Sequence, residues 1–119
     1  MQPEGRDVSS LWDMLNAARN IQEFVHGMGR QDFAEDKKTH FAVISQIEVI
    51  GEATKRLSLE FRQAHSNVPW KKIAGMRDFL IHVYDEVDMG QVWNAATASV
   101  PALIAYIEPL LPPEQAEEK

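Results

Sequence analysis

Lys37-Lys38-Thr39-His40-Phe41-Ala42-Val43-Ile44-Ser45-Gln46-Ile47-Glu48-Val49-Ile50-Gly51-Glu52-Ala53-Thr54-Lys55-Arg56-Leu57 reads as one long amphipathic helix. Val43, Ile44, Ile47, Ile50, Gly51, Thr54 and Leu57 recur at helical spacing, and the breadth of that apolar face marks the most buried helix of a bundle. Asp36 is its expected cap. Gly51 costs about 1 kcal/mol of helix propensity against alanine, so close approach of another helix is the expected compensation.

Working outward from it, the same periodicity continues on both sides. Upstream, Leu11, Leu15, Ala18, Ile21, Val25 and Met28 predict a helix from Ser9 or Ser10 to Met28, with Ser10 and Asp13 as a capping box and Gly27 and Gly29 as its stop. Gly29–Glu35 reads as a linker. Downstream, Ser58 caps a short helix over Leu59–Ala64, and Ser66-Asn67-Val68-Pro69 is a turn into a third long helix, Pro69 to Tyr84. Asp88 starts a fourth, with Val92, Ala96, Ser99, Leu103, Tyr106 and Leu110 as its inner stripe and Pro101 kinking its middle. Pro109, Pro112 and Pro113 end it. No credible strand and no internal repeat is present. The expectation is an all-α, antiparallel up-and-down bundle of four main helices plus one short helix, with residues 1–8 a flexible N-terminus, 9–111 the helical domain and 112–119 an acidic, disordered tail.

Composition narrows the function classes. A chain of 119 residues is one domain, and 45% hydrophobic with 25% charged residues is the balance of a soluble globular protein. The absence of cysteine excludes disulfides, thiolate metal sites and cysteine nucleophiles. No apolar run is long enough to span a bilayer and the first residues carry no signal-peptide pattern, so a cytoplasmic location is expected. The formal charge of −6 argues against bulk electrostatic capture of nucleic acid, so any RNA contact has to be local.

The chemistry concentrates in Arg77-Asp78-Phe79-Leu80-Ile81-His82-Val83-Tyr84. A permanent cation that suits phosphate oxygens, an imidazole that exchanges protons near neutral pH and a phenol stand close together there. Such a set can move a phosphodiester without a metal. On an ideal helix Ile73, Met76, Leu80 and Val83 face the core. Arg77 and His82 are then about 140° apart, and Tyr84 returns to the Arg77 side. His82 points away from its own bundle, with Ile81 and Phe79 beside it. Apolar residues outside the core stripe predict a second interface, and a two-fold homodimer would bring two Arg77 and two His82 side chains into one cleft.

Other candidates are weaker. His26, His40 and His65 lie in different segments without metal-ligand spacing, and Asp36 with His40 reads as a cap followed by a surface histidine. Trp12, Trp70 and Trp93 read as core or interface anchors. Lys71-Lys72 can guide RNA toward the motif or stand as ordinary solvated lysines. Glu48 and Glu52 form an acidic pair to which the pattern assigns no role.

The motif resembles the Arg-x4-His-x-Tyr signature of HEPN-domain proteins of the HepT-like toxin family. Ile50-Gly51-Glu52-Ala53-Thr54-Lys55-Arg56-Leu57-Ser58, Phe61-Arg62, Val68-Pro69-Trp70-Lys71-Lys72-Ile73-Ala74-Gly75-Met76-Arg77-Asp78, Val87-Asp88 and Val92-Trp93 extend the likeness across nearly the whole chain. The resemblance implies a HEPN-like helical homodimer, the toxin of a type VII-like toxin–antitoxin pair, acting as a metal-independent endoribonuclease. It implies a nucleotidyltransferase antitoxin that uses ATP to place AMP on Tyr84, while the chain itself needs no cofactor. In that mechanism the substrate's 2′-hydroxyl attacks, one His82 takes its proton, the other protonates the leaving 5′-oxygen, and Arg77 steadies the phosphoryl charge. Asp78 orients Arg77, and Tyr84 positions the phosphate or accepts AMP. The family usually has an aromatic after the tyrosine, where this chain has Asp85 and then Glu86, two carboxylates that oppose RNA. The alternative expectation is a non-catalytic helical module that binds and regulates a nucleotidyltransferase.

Overall fold

The computed structural model describes residues 5–78 and 89–112, and every regular element among them is helical. In chain order these are α1 (Gly5–Val25), α2 (Arg30–Ala34), α3 (Lys37–Arg56), α4 (Leu59–Ala64) and α5 (Trp70–Ala74), the last tightening into a 3-10 turn at Gly75–Arg77. After the undescribed stretch come α6 (Met89–Asn94), a π-helical turn (Ala95–Ser99), α7 (Val100–Ile107) and a 3-10 turn (Glu108–Leu110). The all-α bundle expected from periodicity is the fold found.

Helices α1 and α3 form its backbone. Asp7 meets Ser58, Asp13 meets Arg56, Met14 meets Thr54 and Asn20 meets Gln46, a descending register that makes the pair antiparallel. Leu11, Met14, Leu15, Ala18 and Ile21 on one side, and Val43, Ile47, Ile50 and Ala53 on the other, are fully buried between them. Val92, Ala96, Val100, Leu103 and Ile107 close the core from the third side, with α7 lying against α1. No helix among the described residues is long and apolar enough to cross a membrane.

Several local readings hold to the residue. The Asp36 side chain accepts the Thr39 N–H at 3.1 Å, capping α3, and Ser58 Oγ accepts the Phe61 N–H at 3.1 Å, capping α4. The hydrogen bond from Thr39 holds the Asp36 carboxyl below its ordinary value. A carboxylate so lowered stabilises the fold at neutral pH and loses that contribution as pH falls through its depressed value.

Four readings are corrected. Helix α1 starts at Gly5, not at Ser9 or Ser10, and Ser10 is a buried residue inside it rather than a cap. The reason is Asp7, only 2% exposed, whose two carboxylate oxygens accept from the Ser58 N–H and the Ser58 Oγ–H, each at 2.8 Å. The helix also ends sooner, at Val25, ahead of Gly27 at φ +80°. The presumed linker 29–35 contains α2. There the Asp32 carboxylate accepts the Gly29 N–H at 2.8 Å, and Phe33 sinks between His40 and Trp93 with ring centroids at 4.8 and 5.3 Å.

The third correction concerns the last helix, where Val100 and Ile107 are buried in place of Ser99 and Tyr106, which are exposed. Pro101 cannot donate to the carbonyl one turn back. The π turn just ahead of it carries the chain about one residue further per turn, which advances the stripe. In the fourth, the regular α-helix expected from Pro69 to Tyr84 breaks at Gly75 into 3-10 geometry, while 79–88 lie outside the described residues.

The Asp7–Ser58 tie has a measurable consequence. Asp7→Ala leaves the partly buried Ser58 N–H without a partner, and chemical denaturation should show a loss of about 1–3 kcal/mol. A loss under about 0.5 kcal/mol, the scatter of a neutral surface change, would mean the tie is idle.

Candidate active site

Glu48 and Gly51 stand three residues apart on α3 and so share a flank of that helix. The 3-10 turn packs against this flank. Gly75 starts the turn; its lack of a Cβ leaves room for the Asp78 carboxylate, whose Oδ2 lies 3.1 Å from where that Cβ would be. The tighter turn rotates the chain by about 120° per residue instead of about 100°, and it delivers Arg77 toward α3.

Arg77 is held at two points. Its stem lies over Gly51, where a Cβ would collide with Arg77 Cδ and come within 3.2 Å of Cγ. Its Nε–H donates to Glu48 Oε1 at 3.1 Å. The arginine side chain is 18% exposed and the carboxylate 44%, so the pair sits at the rim of the bundle with the acid outward. The expected close approach at Gly51 is therefore real, but what approaches is one side chain. Among the described residues the guanidinium is bonded through Nε alone, an arrangement that leaves two terminal nitrogens of the kind that form a phosphate fork.

Glu48 is the partner of Arg77 that pattern reading missed. The available signal was its position one helical turn before a glycine that had to face a neighbour. Asp78, expected to orient Arg77, is exposed, with its carboxylate turned back over Gly75; among the described residues the acid bonded to Arg77 is Glu48. His82 and Tyr84 lie outside the described residues, as do Asp85 and Glu86, so their placement relative to Arg77 is not part of this geometry.

Lys71 and Lys72 are both exposed on α5. Lys72 lines a groove of about 640 Å³ between α5 and the last helix, whose other walls include Met76, Ala98, Ala102 and Tyr106. The two lysines thus stand on the same short segment that leads into the Arg77 turn. The tryptophans serve as packing anchors: Trp70 Nε1–H donates to the His65 carbonyl at 2.9 Å, and Trp93 packs on Phe33. His40 Nε2 lies 2.6 Å from the Phe33 carbonyl and belongs to the α2–α3 junction. Among the described residues no three His, Cys, Asp or Glu side chains gather to hold a metal ion.

Comparison with known proteins adds an independent finding. Residues 14–110 match the family model described as HepT-like, ribonuclease HepT-like. The chain is 41% identical over 100 residues to "Probable ribonuclease HepT" of Thermococcus cleftensis, covering 84% of this chain and 91% of that protein. It is 42% identical over 105 residues to "Putative RNase TTE0752" of Caldanaerobacter subterraneus subsp. tengcongensis, covering 88% and 94%. With "Putative RNase MJ0125" of Methanocaldococcus jannaschii it shares 36% over 115 residues, covering 96% and 97%. No solved structure matches the chain.

Proposed function

This chain belongs to the HepT-like ribonuclease family, and from that footing we propose that it is the toxin of a toxin–antitoxin pair, a cytoplasmic, metal-independent endoribonuclease working as a homodimer. The observation that carries the reading is Arg77, seated over Gly51, bonded to Glu48 through Nε and still 18% exposed. An arginine so placed suits a phosphodiester at the bundle rim.

The reaction follows from the motif. The 2′-hydroxyl of the substrate attacks the adjacent phosphorus, His82 of one copy removes its proton, and His82 of the other protonates the departing 5′-oxygen. Arg77 stabilises the charge on the non-bridging oxygens as the P–O bond breaks. The products carry a 2′,3′-cyclic phosphate and a 5′-hydroxyl. Lys71 and Lys72 guide the RNA backbone locally, which accommodates a net charge of −6. Asp78 supports the turn that presents Arg77. Tyr84 positions the phosphate and is the residue a nucleotidyltransferase antitoxin would modify with AMP from ATP, silencing the toxin by adding charge where RNA must bind.

The test is cleavage of single-stranded RNA in EDTA, with the ends of the products analysed. Undiminished cleavage giving cyclic phosphates supports the proposal; cleavage only with a divalent ion, or products with a 3′-hydroxyl, would reject it. A second reading, a non-catalytic partner that regulates a nucleotidyltransferase, draws on Asp85, Glu86 and the acidic balance. No cleavage under any condition would favour it. Co-purification with a nucleotidyltransferase is expected on both readings and separates nothing.

A further inference from the structure

We infer that Glu48 is the positioning residue of the site, fixing the plane of the Arg77 guanidinium so that its two terminal nitrogens meet a phosphate edge-on; the inference rests on the ribonuclease reading above. Glu48 comes from α3, far in sequence from the Arg-x4-His-x-Tyr motif, and bonds the nitrogen nearest the arginine stem at 3.1 Å. A bond at Nε stops rotation about the last torsions of the side chain without occupying the fork that recognises phosphate. Gly51 fixes the other end: the stem lies where a Cβ would collide with Arg77 Cδ. Stem and plane are thus each held by one residue of the same helix flank, three positions apart.

The exposures favour positioning over stabilisation. Glu48 is 44% exposed, so water screens the pair and its contribution to folding is small. The consequence of the pair lies in where it holds the cation. A long, flexible side chain confined before substrate arrives loses less freedom on reaching the transition state. Asp78 does not duplicate this role, since its carboxylate lies over Gly75.

The test uses the full chain, its RNA cleavage in EDTA, and the 15N–1H signal of the Arg77 Nε–H, identified by its loss in Arg77→Ala. Glu48→Gln keeps an oxygen that can accept from Nε, whereas Glu48→Ala removes it. Glu48→Ala is expected to lower kcat about tenfold to a hundredfold with KM unchanged or lower, and to expose the Nε–H to rapid exchange. Glu48→Gln should stay within about threefold of the parent, with Nε–H still protected, because a neutral acceptor retains roughly half the strength of the charged one. Full kcat in Glu48→Ala overturns the inference. So does a Glu48→Gln variant as inactive as Glu48→Ala, which would assign the carboxylate to proton transfer. If the parent chain cleaves no RNA, the ribonuclease reading fails. The exchange measurement then decides the positioning role: protection lost in Glu48→Ala supports it, and protection retained overturns it.

Discussion

Arg77→Ala is expected to lower RNA cleavage about a hundredfold to a thousandfold, the usual loss when a group that stabilises transition-state charge is deleted. The fold should not follow. The arginine is partly exposed, and the carboxylate it leaves behind is 44% exposed, so water solvates Glu48 rather than leaving a buried charge without a partner. Unchanged circular dichroism and melting temperature, alongside collapsed kcat, are the expected pair of results. His82→Ala should be at least as severe, about a hundredfold to ten-thousandfold, because the proposed mechanism then loses general acid–base catalysis at both ends of the reaction. An Arg77→Ala variant that keeps a tenth or more of the parent rate would remove Arg77 from the chemistry. Mixed dimers of parent and His82→Ala chains sharpen the point: a cleft that needs both histidines is inactive in every mixed dimer, whereas independent sites would retain half their activity.

Gly51→Ala is the second large effect, and it separates two forces acting at one residue. Alanine in a helix interior is worth about 1 kcal/mol more than glycine. The added methyl, however, occupies the space of Arg77 Cδ. Helix α3 cannot retreat, because Val43, Ile47 and Ile50 are fully buried against its neighbours, so the arginine stem must move. Misplacing a positioning group by about 1 Å can cost a hundredfold in rate, and a loss of at least tenfold in cleavage with little change in stability is expected. The double variant makes the cause visible. In an Arg77→Ala background, Gly51→Ala should cost no further activity and should stabilise the chain by about 1 kcal/mol, since the obstruction is gone. Additive losses in the double variant would mean that Gly51 acts through something other than Arg77.

Reading patterns worked wherever burial repeats along one element. The stripe from Val43 to Leu57 and the caps at Asp36 and Ser58 were legible because each depends on residues within a few turns. It failed where one distant contact overrode the local preference. Asp7 draws α1 out to Gly5 because Ser58, half the chain away, offers it two donors. Phe33 turns a supposed linker into α2 because His40 and Trp93 give it a place to be buried. The π turn before Pro101 moved the inner stripe of the last helix from Ser99 and Tyr106 to Val100 and Ile107, a shift that an ideal 3.6-residue repeat cannot express. Gly75 did the same to the motif helix, so angles counted from Ile73 through Arg77 no longer hold.

The chain's order of residues was enough to specify an all-helical bundle and its α1 and α3 core faces, and to nominate Arg77, His82 and Tyr84 as candidates, because helical periodicity and side-chain chemistry are properties of neighbours in sequence. The choice of Glu48 as the partner of Arg77, and of Gly51 as its seat, came from the packing of the 3-10 turn on α3. Those residues are 29 and 26 positions from Arg77, and an ion pair between separate helices leaves no periodic trace along either of them.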